Sequence, residues 1–478
     1  MHDVSTWIDL LRQRAADAPA RPVYTFLADG ETESATLTHA DLDRHARRIA
    51  GQLAQAGAQP GDRALLLYPP GLDFIVGFWG CLYAGVIAVP AYPPRRQGKN
   101  GTLAAIADDC RPAAVLSDAA MAPRARALDA EAPALVDVPR VRTDLADADD
   151  APNDAGARWI RPAIGGDSLA FLQYTSGSTS LPRGVRVAHR HLLHNAEAIR
   201  RGFSQDADKV VVSWLPLYHD MGLIGNVLQP LYTGARTVLM ASASFLQKPA
   251  RWLRAISRYR ANASGGPNFA YALCAERIDE ATKATLDLSS WQVAFNGAEP
   301  VRADTLERFA DAFAACGFQR AAFRPCYGLA EGTLLVTTGT IGTPPPVVRV
   351  DADALADDRV APIADAGSDA DRDASARSRR DLVGCGRAWH EQIVRIVDPV
   401  TCRPCSADGV GEIWVAGGSV AGGYWNRPDD SEALFRARLA DDPDAGPFLR
   451  TGDLGFLHDG ELYVTGRRKD LLIVRGRN

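Results

Sequence analysis

The segment LAFLQYTSGSTSLPRGV, residues 169–185, joins an apolar strand to a loop of hydroxyls and glycines. The apolar run ends at Tyr174, and the hydroxyl-bearing residues that follow it are Thr175, Ser176, Ser178 and Thr179. Gly177 and Gly184 permit the backbone to approach a ligand closely, and Arg183 adds a positive charge. These residue types suit a loop that cradles polyphosphate. Their spacing excludes a Walker A loop, and a Ser/Thr-rich surface turn is the alternative for this segment on its own.

Helical and strand-like segments alternate along the chain around this loop. Thr38 and Asp41 form a capping-box variant, and the helix that they begin is predicted to end at Gly57. Strand-like apolar runs recur between helical stretches, at residues 64–68, 113–116, 210–214, 237–240 and 291–295. This alternation predicts an α/β fold with layers around largely parallel sheets.

The composition indicates a globular protein with a sizeable core. The chain has 478 residues, of which 46% are hydrophobic and 23% charged, with a formal net charge of −5. Mild acidity without a Lys/Arg cluster argues against a nucleic-acid partner. The uncharged run from Phe74 to Val89 is short of the ~20 residues that span a bilayer. We expect a buried helix running into a core strand there, and no stable membrane insertion.

The cysteines and the N-terminus favour a cytoplasmic protein. Eight cysteines are scattered along the chain, which is typical of free thiols in a reducing compartment. Cys402 and Cys405 have the spacing of a zinc or redox pair but lack a second pair or a histidine partner. The first residues show neither a basic region nor an apolar one, so no signal peptide is expected.

The C-terminal part of the sequence changes character. Residues 411–425 and 455–466 are glycine-punctuated β segments, and Asp459-Gly460 predicts a hairpin turn. Two polar segments interrupt the pattern. Residues 137–154 are predicted as a surface connection, and the Asp-rich residues 343–380 as a mobile insertion that buries little apolar surface.

Five motifs together resemble the adenylate-forming superfamily, which includes acyl-CoA synthetases, luciferases and the adenylation domains of peptide synthetases. After YTSGSTSLPRGV come NGAEP (296–300), YGLAE (327–331), RTGDLG (450–455) and GRRKD (466–470), in the order of that superfamily. Residues 65–96, WLPLYHDMGLIG (214–225) and SGGPNFAY (264–271) most resemble the fatty acyl-AMP ligases. Ser180 stands where the superfamily usually has glycine and resembles this subgroup. Arg183 stands where lysine is usual, which keeps the charge but alters its geometry.

The resemblance implies the domain organisation. Residues 1–466 would form a large N-terminal domain with two packed α/β sub-lobes and a smaller β-rich sub-lobe, a distorted barrel over residues 381–466. Residues 343–380 would be a family-specific insertion. Residues 467–478, with Lys469 and Asp470, would form the hinge to a small C-terminal domain that carries a catalytic lysine and is absent from the chain. We therefore expect weakened adenylation by this chain alone.

The resemblance also assigns roles to residues in a reaction between a fatty acid and ATP. The residues implied to act in catalysis are His219, Glu331 and Thr175, with Glu331 also binding Mg2+. Those implied to bind the β and γ phosphates are Thr175, Ser176, Gly177, Ser178, Thr179, Arg183 and Gly184. The adenine slot would consist of Asn296, Gly297, Ala298, Glu299, Tyr327 and Gly328, and the ribose would meet Asp453 and Arg467. An acyl tunnel would lie near Met221, Ile224, Gly265, Gly266 and Phe269.

The implied function is ATP-dependent formation of an acyl-adenylate with release of pyrophosphate. The acyl group would pass to the phosphopantetheine of an acyl carrier protein in polyketide, nonribosomal peptide or lipid biosynthesis. By the same resemblance, the 343–380 insertion would disfavour CoA as the acceptor, and a tolerated loop without function is the alternative. Three alternatives stay open: an acyl-CoA synthetase, which would release AMP in a CoA-dependent step; an amino-acid adenylation domain; and a nucleotide- and acyl-binding module with little catalysis.

Overall fold

The structure is a computed structural model that describes residues 4–93, 101–145, 159–175, 182–363 and 379–468. Its α-helices are α1 (Trp7–Asp17), α2 (His39–Gln55), α3 (Leu72–Ala84), α4 (Thr102–Cys110), α5 (Ala125–Glu131), α6 (His189–Gly202), α7 (Asp220–Leu223), α8 (Gln229–Thr233), α9 (Ser242–Gln247), α10 (Ala250–Tyr259), α11 (Asn268–Arg277), α12 (Glu280–Lys283), α13 (Ala303–Phe313), α14 (Ala352–Ala356) and α15 (Pro428–Phe435).

The strands of the described residues are β1 (Pro22–Leu27), β2 (Glu33–Thr38), β3 (Arg63–Leu66), β4 (Ile87–Pro90), β5 (Ala114–Ser117), β6 (Arg140–Arg142), β7 (Leu169–Thr175), β8 (Arg183–Ala188), β9 (Val210–Ser213), β10 (Arg236–Met240), β11 (Ala263–Gly266), β12 (Val293–Asn296), β13 (Phe323–Gly328), β14 (Leu335–Thr338), β15 (Val347–Asp351), β16 (Arg379–Val383), β17 (Arg387–Ala388), β18 (Ile393–Val397), β19 (Gly411–Ala416), β20 (Leu449–His458) and β21 (Glu461–Arg467). The α/β prediction is confirmed, and each apolar run predicted as a strand overlaps one.

The chain divides into two compact units. The first comprises Met1–Glu197, Gln205–Ala255 and Ala421–Ser431, and the second comprises Ala198–Ser204, Ile256–Val420 and Glu432–Asn478. The boundaries predicted for the large domain and its sub-lobes stay predictions.

Two sheets organise the first unit. One has the strand order β6-β5-β3-β4-β7-β8, in which every neighbouring pair is parallel except β7 and β8. In the other, β9, β10 and β1 run parallel and β2 is antiparallel to β1. Parallel strands are joined through helices, which is why helical and strand-like stretches alternate in the sequence.

Helices α2 and α3 show how the sequence builds the core of this unit. Thr38 caps α2, and the Thr38 hydroxyl and Asp41 carboxylate form the predicted capping box. In α3 the apolar run is buried on nearly every side, and it leads into β4 as predicted. A Cβ on Gly80 would lie 2.2 Å from the Ile49 side chain, so this glycine allows α2 and α3 to pack closely. Among the described helices, none combines the length and the apolar character that a bilayer span needs.

The second unit contains the C-terminal β-rich part. Strands β11, β12 and β13 run parallel, and β14 and β17 continue this sheet in antiparallel pairs. Strands β18 to β21 form a four-stranded antiparallel sheet. The predicted hairpin turn is confirmed, since Asp459 and Gly460 both have positive φ between β20 and β21.

The Asp-rich segment differs from its prediction where the structure describes it. Val347–Asp351 pairs with Arg379–Val383, and Val350 and Leu355 are buried together with Phe456 and Tyr463. The valines between the acidic residues supply the apolar face of a strand, a pattern that the aspartates conceal in the composition. The expectation of a segment that buries little is therefore wrong for these ends, and residues 364–378 lie outside the described part of the chain.

Candidate active site

The residues implied by the sequence fall into two groups, one in each compact unit. The first unit holds Thr175, Arg183, Gly184, His219, Met221 and Ile224. The second holds Gly265, Gly266, Phe269, Asn296, Gly297, Ala298, Glu299, Tyr327, Gly328, Glu331, Asp453 and Arg467. Six residues lie outside the described part of the chain: Ser176, Gly177, Ser178, Thr179, Lys469 and Asp470.

The phosphate loop connects the two strands of an antiparallel hairpin. Thr175 ends β7 opposite Arg183, and Tyr174 lies opposite Gly184. The Tyr174 hydroxyl donates to Asp109 Oδ2 at 2.7 Å, and burial together with this bond raises the pKa of the phenol. A Cβ on Gly184 would lie 2.9 Å from the Tyr174 ring, so glycine lets that ring lie across the hairpin. Asp109 was missed by sequence reasoning, since it precedes the loop by more than sixty residues.

His219 is connected to the same hairpin. The Gln173 side-chain amide donates to the Tyr218 carbonyl at 3.1 Å, which fixes the turn before His219 relative to β7. His219 itself is exposed, and its extended backbone begins α7. The Leu223 N–H donates to the His219 carbonyl at 2.8 Å. The imidazole therefore stands at a short helix start, held near the phosphate-loop strand by Gln173.

Asp220, the residue beside His219, is partly buried. Burial raises the pKa of Asp220, while the Met221 N–H at 2.7 Å and the neighbouring His219 oppose that shift. A Cβ on Gly222 would lie 2.0 Å from the Pro216 carbonyl oxygen. The tight turn therefore requires glycine at position 222.

The two acyl-tunnel residues of the first unit lie beside a widened helical turn. Met221 is half-buried and Ile224 is buried. Residues Ile224–Leu228 form a π-helical turn, and the Asn226 amide donates to the Met221 carbonyl at 2.7 Å. Such turns are frequent at functional sites, although Ile224 also serves the core.

Three residues implied for adenine, Asn296, Tyr327 and Gly328, lie at the carboxyl ends of parallel strands, whereas Asp453 and Arg467 lie on the antiparallel strands β20 and β21. Gly266 at the end of β11 pairs with Asn296 at the end of β12, and Asn296 pairs with Pro325 of β13. A Cβ on Gly328 would lie 1.9 Å from the Leu334 carbonyl oxygen, so this position requires glycine. Ligands of α/β proteins bind at such strand ends.

Hydrogen bonds link three of the expected nucleoside residues, of which Tyr327 and Asp453 are buried and Arg467 is exposed. The Tyr327 hydroxyl donates to Asp453 Oδ2 at 2.7 Å, and Arg467 Nε donates to Asp453 Oδ1 at 2.9 Å. Burial, with the nearby carboxylate of Asp453, raises the pKa of Tyr327. Asp453 is only 6% exposed. The structure thus brings Tyr327, Asp453 and Arg467 together although they lie far apart in the sequence.

The NGAEP loop is tied to the start of α11. Glu299 Oε1 accepts the Phe269 N–H at 2.7 Å, so this carboxylate caps α11 as well as lying in the expected adenine slot. Asn268 Oδ1 accepts the Arg302 N–H at 3.1 Å, and its amide donates to Thr305 Oγ1 at 3.2 Å. Asn268 was also missed by sequence reasoning.

Glu331 lies close to the nucleoside array. It occupies a 3-10 turn, Ala330–Gly332, and its charge contributes to raising the pKa of Tyr327. A carboxylate oxygen is a ligand that Mg2+ prefers, and Mg2+ commonly takes one or two carboxylates plus substrate phosphates. Among the described residues no group of three or more His, Cys, Asp or Glu could hold a metal. Glu331 therefore fits Mg2+ only as one ligand beside a nucleotide.

Comparisons with known proteins show the family of this chain. The family of AMP-binding enzymes matches residues 11–425. The medium-chain-fatty-acid–[acyl-carrier-protein] ligase JamA of Moorena producens is 43% identical over 479 residues, covering 100% of this chain and 79% of that protein. The medium-chain-fatty-acid–[acyl-carrier-protein] ligase TtuA of Teredinibacter turnerae is 36% identical over 516 residues, with 100% and 79% covered.

A solved structure shows the same architecture. The fatty acyl-adenylate ligase from L. pneumophila, in complex with acyl adenylate and pyrophosphate, superposes with a TM-score of 0.88 at 44% identity. The match covers 99% of this chain and 79% of that one. The chain therefore belongs to the AMP-binding enzyme family, in its group of fatty acyl-AMP ligases.

Proposed function

We propose that this chain activates a fatty acid as its acyl-adenylate and delivers the acyl group to an acyl carrier protein. In the first step the fatty-acid carboxylate forms a bond to the α-phosphorus of ATP, and the bond to the departing pyrophosphate breaks. In the second step the phosphopantetheine thiol attacks the acyl carbon, giving a thioester, AMP and one proton.

The Tyr327–Asp453–Arg467 array, in which the tyrosine and aspartate are buried and the arginine is exposed, is the observation that carries the proposal. Two donors, the Tyr327 hydroxyl and Arg467 Nε, meet the two oxygens of Asp453. Each carboxylate oxygen has a second lone pair, which suits acceptance of a ribose hydroxyl. The Tyr327 ring lies at the end of β13. We propose that it would stack on adenine, with Asn296, Gly297, Ala298, Glu299 and Gly328 around the base.

The residues proposed to bind the polyphosphate supply positive charge and hydroxyl donors. Thr175 and Arg183 face each other across the hairpin at the two feet of the loop, so both would approach the same polyphosphate. Negative charge builds up on the phosphoryl oxygens and on the leaving pyrophosphate, and fixed donors there stabilise the transition state. His219 would orient the attacking carboxylate.

Mg2+ would be held by Glu331 together with the nucleotide phosphates. When bound, the ion neutralises phosphate charge and thereby favours departure of pyrophosphate. The protein would contribute the Glu331 carboxylate, which lies near Tyr327.

The acceptor is proposed from the relatives. JamA and TtuA are ligases of acyl carrier proteins, which supports a carrier-bound thiol over CoA for this chain. The residues proposed for contact with the acyl chain are those that the resemblance implies: Met221, Ile224, Gly265, Gly266 and Phe269. At about 0.8 kcal/mol per buried CH2, such a site would select chain length strongly.

Product analysis tests the proposal. The chain is incubated with ATP, Mg2+ and fatty acids of graded length, alone, with CoA, or with a carrier protein bearing phosphopantetheine, and products are identified by mass spectrometry. A second form, extended to the length of the relatives, reports what further sequence adds. We expect acyl-AMP without a thiol acceptor, and acyl-carrier protein in preference to acyl-CoA.

A matched variant separates site chemistry from folding. Asp43 accepts the Tyr83 hydroxyl at 2.7 Å and Arg47 Nε at 2.7 Å, which reproduces the surroundings of Asp453. Asp453→Asn should abolish most acyl-AMP formation, whereas Asp43→Asn should leave it intact in the folded protein. Equal losses in both variants would contradict the assignment of Asp453. CoA-dependent AMP release exceeding carrier loading would make the protein an acyl-CoA synthetase.

A further inference from the structure

A segment distant in sequence packs along the second strand of the phosphate-loop hairpin. The Gly422 N–H donates to the Arg186 carbonyl at 2.9 Å, and the Arg186 N–H donates to the Gly423 carbonyl at 2.9 Å. The Trp425 N–H donates to the Gly184 carbonyl at 2.7 Å. These bonds make residues 422–425, which we call the brace segment, an added edge beside β8. The brace segment thereby reaches the foot of the phosphate loop.

The brace segment places an aromatic ring against Arg183. The Arg183 guanidinium carbon lies 5.3 Å from the centre of the Tyr424 ring. Tyr424 is only 6% exposed, and its N–H donates to Ser431 Oγ at 2.8 Å, so the ring has a fixed position. A cation within about 6 Å of a ring centre is attracted by the ring's quadrupole.

A carboxylate also lies near Arg183, but it holds the guanidinium less firmly. Arg183 Nη2 is 3.8 Å from Asp430 Oδ2, at the outer limit of an ion pair, and Arg427 Nη1 is 4.0 Å from the same oxygen. The Asp430 side chain is partly exposed, and exposed pairs of this kind contribute little. The Tyr424 ring is therefore the main restraint on the direction of Arg183.

The ring also favours arginine over lysine. A guanidinium is planar and weakly hydrated, so it stacks on an aromatic face, whereas an ammonium is a strongly hydrated point charge. We propose that Tyr424 is a positioning residue for Arg183, holding its guanidinium at the foot of the loop to meet the β and γ phosphates of ATP, and that this ring makes arginine the better residue there. The proposal rests on the proposed function, which assigns Arg183 to the polyphosphate.

A double-mutant cycle with two nucleotides tests this role. The single variants are Arg183→Lys, Tyr424→Leu and Tyr424→Phe, and the double variants are R183K/Y424L and R183K/Y424F. Calorimetry measures their affinities for ATP and AMP. We expect R183K to weaken ATP binding about threefold to fivefold when Tyr424 is present. In the Y424L background, R183K should cause no additional loss of ATP affinity. AMP lacks the β and γ phosphates, so its affinity should stay unchanged. Y424F keeps the ring face and should preserve the preference for arginine.

A second cation–ring pair provides the control. The Arg258 guanidinium carbon lies 5.1 Å from the Tyr259 ring, and Tyr259→Leu should leave ATP affinity unchanged. Thermal unfolding of each variant shows whether loss of the buried Tyr424 ring disturbs folding. If Y424L does not fold, the effect of R183K on ATP affinity is compared between the natural and the Y424F backgrounds. An equal R183K effect in both Tyr424 backgrounds, or an equal loss of AMP affinity, overturns the proposal.

The proposed function is tested separately in the same protein. Absence of acyl-AMP from the wild type and its extended form refutes the proposed function, whatever the cycle shows. Normal acyl-AMP formation with no coupling between positions 183 and 424 refutes the role of Tyr424 alone.

Discussion

The Tyr327 hydroxyl donates to Asp453 Oδ2 at 2.7 Å in the second unit, and the Tyr83 hydroxyl donates to Asp43 Oδ1 at the same 2.7 Å in the first. In each case an arginine meets the other oxygen of the aspartate. Local chemistry is therefore the same at two places in one chain. Only the Tyr327–Asp453 pair includes a residue at the carboxyl end of a parallel strand, since Tyr327 lies at the end of β13. Position in the fold therefore distinguishes the candidate ribose carboxylate from a structural one.

Tyr327→Phe should weaken ATP binding about tenfold, with the ring still available to stack on the base. Removal of the hydroxyl leaves one oxygen of a buried carboxylate without its donor, and a hydrogen bond to a charged group contributes about 1.5–3 kcal/mol. Calorimetric titration with ATP and with AMP measures the effect. Both nucleotides should lose affinity equally, because both carry the ribose.

Tyr83→Phe is the matched control for that prediction. It removes the same bond outside the candidate site, so it should lower the stability of the chain without changing nucleotide affinity. Nucleotide binding that falls equally in both variants would show that the effect of Tyr327→Phe is structural.

The sequence permits prediction of elements and motifs that depend on neighbouring residues. The capping box at Thr38, the turn at Asp459-Gly460 and the apolar strands follow from local rules, and the structure confirms them. The motif order also predicts the candidate nucleoside site. Each of these features is decided by residues a few positions apart.

The contacts that orient the site depend on topology and leave no local pattern. Asp109 meets Tyr174, and Tyr424 meets Arg183, because sheet order brings remote segments together. The ends of the Asp-rich segment show a second reason. Acidic residues dominate its composition, but a few valines suffice to form a paired strand with a buried face.

Glu299→Ala should raise the KM for ATP about twofold to fivefold. The carboxylate accepts the Phe269 N–H at the start of α11 and so holds the adenine loop against that helix. A cap of this kind contributes about 0.5–1 kcal/mol. Glu299→Gln keeps an acceptor oxygen and should remain within about twofold of wild type, which steady-state pyrophosphate release can measure.

A cap elsewhere controls for loss of helix stability. Asp279 accepts the Thr282 N–H at 2.8 Å at the start of α12, so Asp279→Ala removes a similar bond. It should leave the KM for ATP unchanged. A rise in KM for Asp279→Ala as large as that for Glu299→Ala would show that the effect is not specific to the adenine loop.

Gly265→Ala should destabilise the chain and reduce activity on fatty acids of every length. A Cβ there would lie 2.0 Å from the Phe295 carbonyl oxygen, which belongs to the paired strand β12 and cannot move aside. Overpacking of this kind costs about 1–3 kcal/mol. Gly339→Ala, where a Cβ meets nothing within 4 Å, is the control. Normal stability with a change in chain-length preference would instead favour a tunnel position for Gly265.

Asp118→Asn should stabilise the chain at pH 8 and less so at pH 5. Burial, with Asp73 and Asp144 nearby, raises the pKa of Asp118 to about 6, and the Met121 and Ala120 N–H groups oppose the shift only in part. Because an unfolded aspartate has a pKa of about 3.9, the folded chain carries a penalty that begins near pH 4 and is complete above pH 6. The amide removes that penalty, by about 2 kcal/mol at pH 8 and about half of that at pH 5.

Urea denaturation between pH 5 and pH 8 measures this slope, and Asp29 supplies a control of opposite sign. The Thr32 and Glu31 N–H groups lower the pKa of Asp29 to about 2, so its contribution to stability is constant over this range and is lost only in stronger acid. Asp29→Asn should therefore destabilise the chain equally at pH 5 and pH 8. A gain from Asp118→Asn that does not change with pH would mean that relief of packing strain, rather than of buried charge, stabilises the variant.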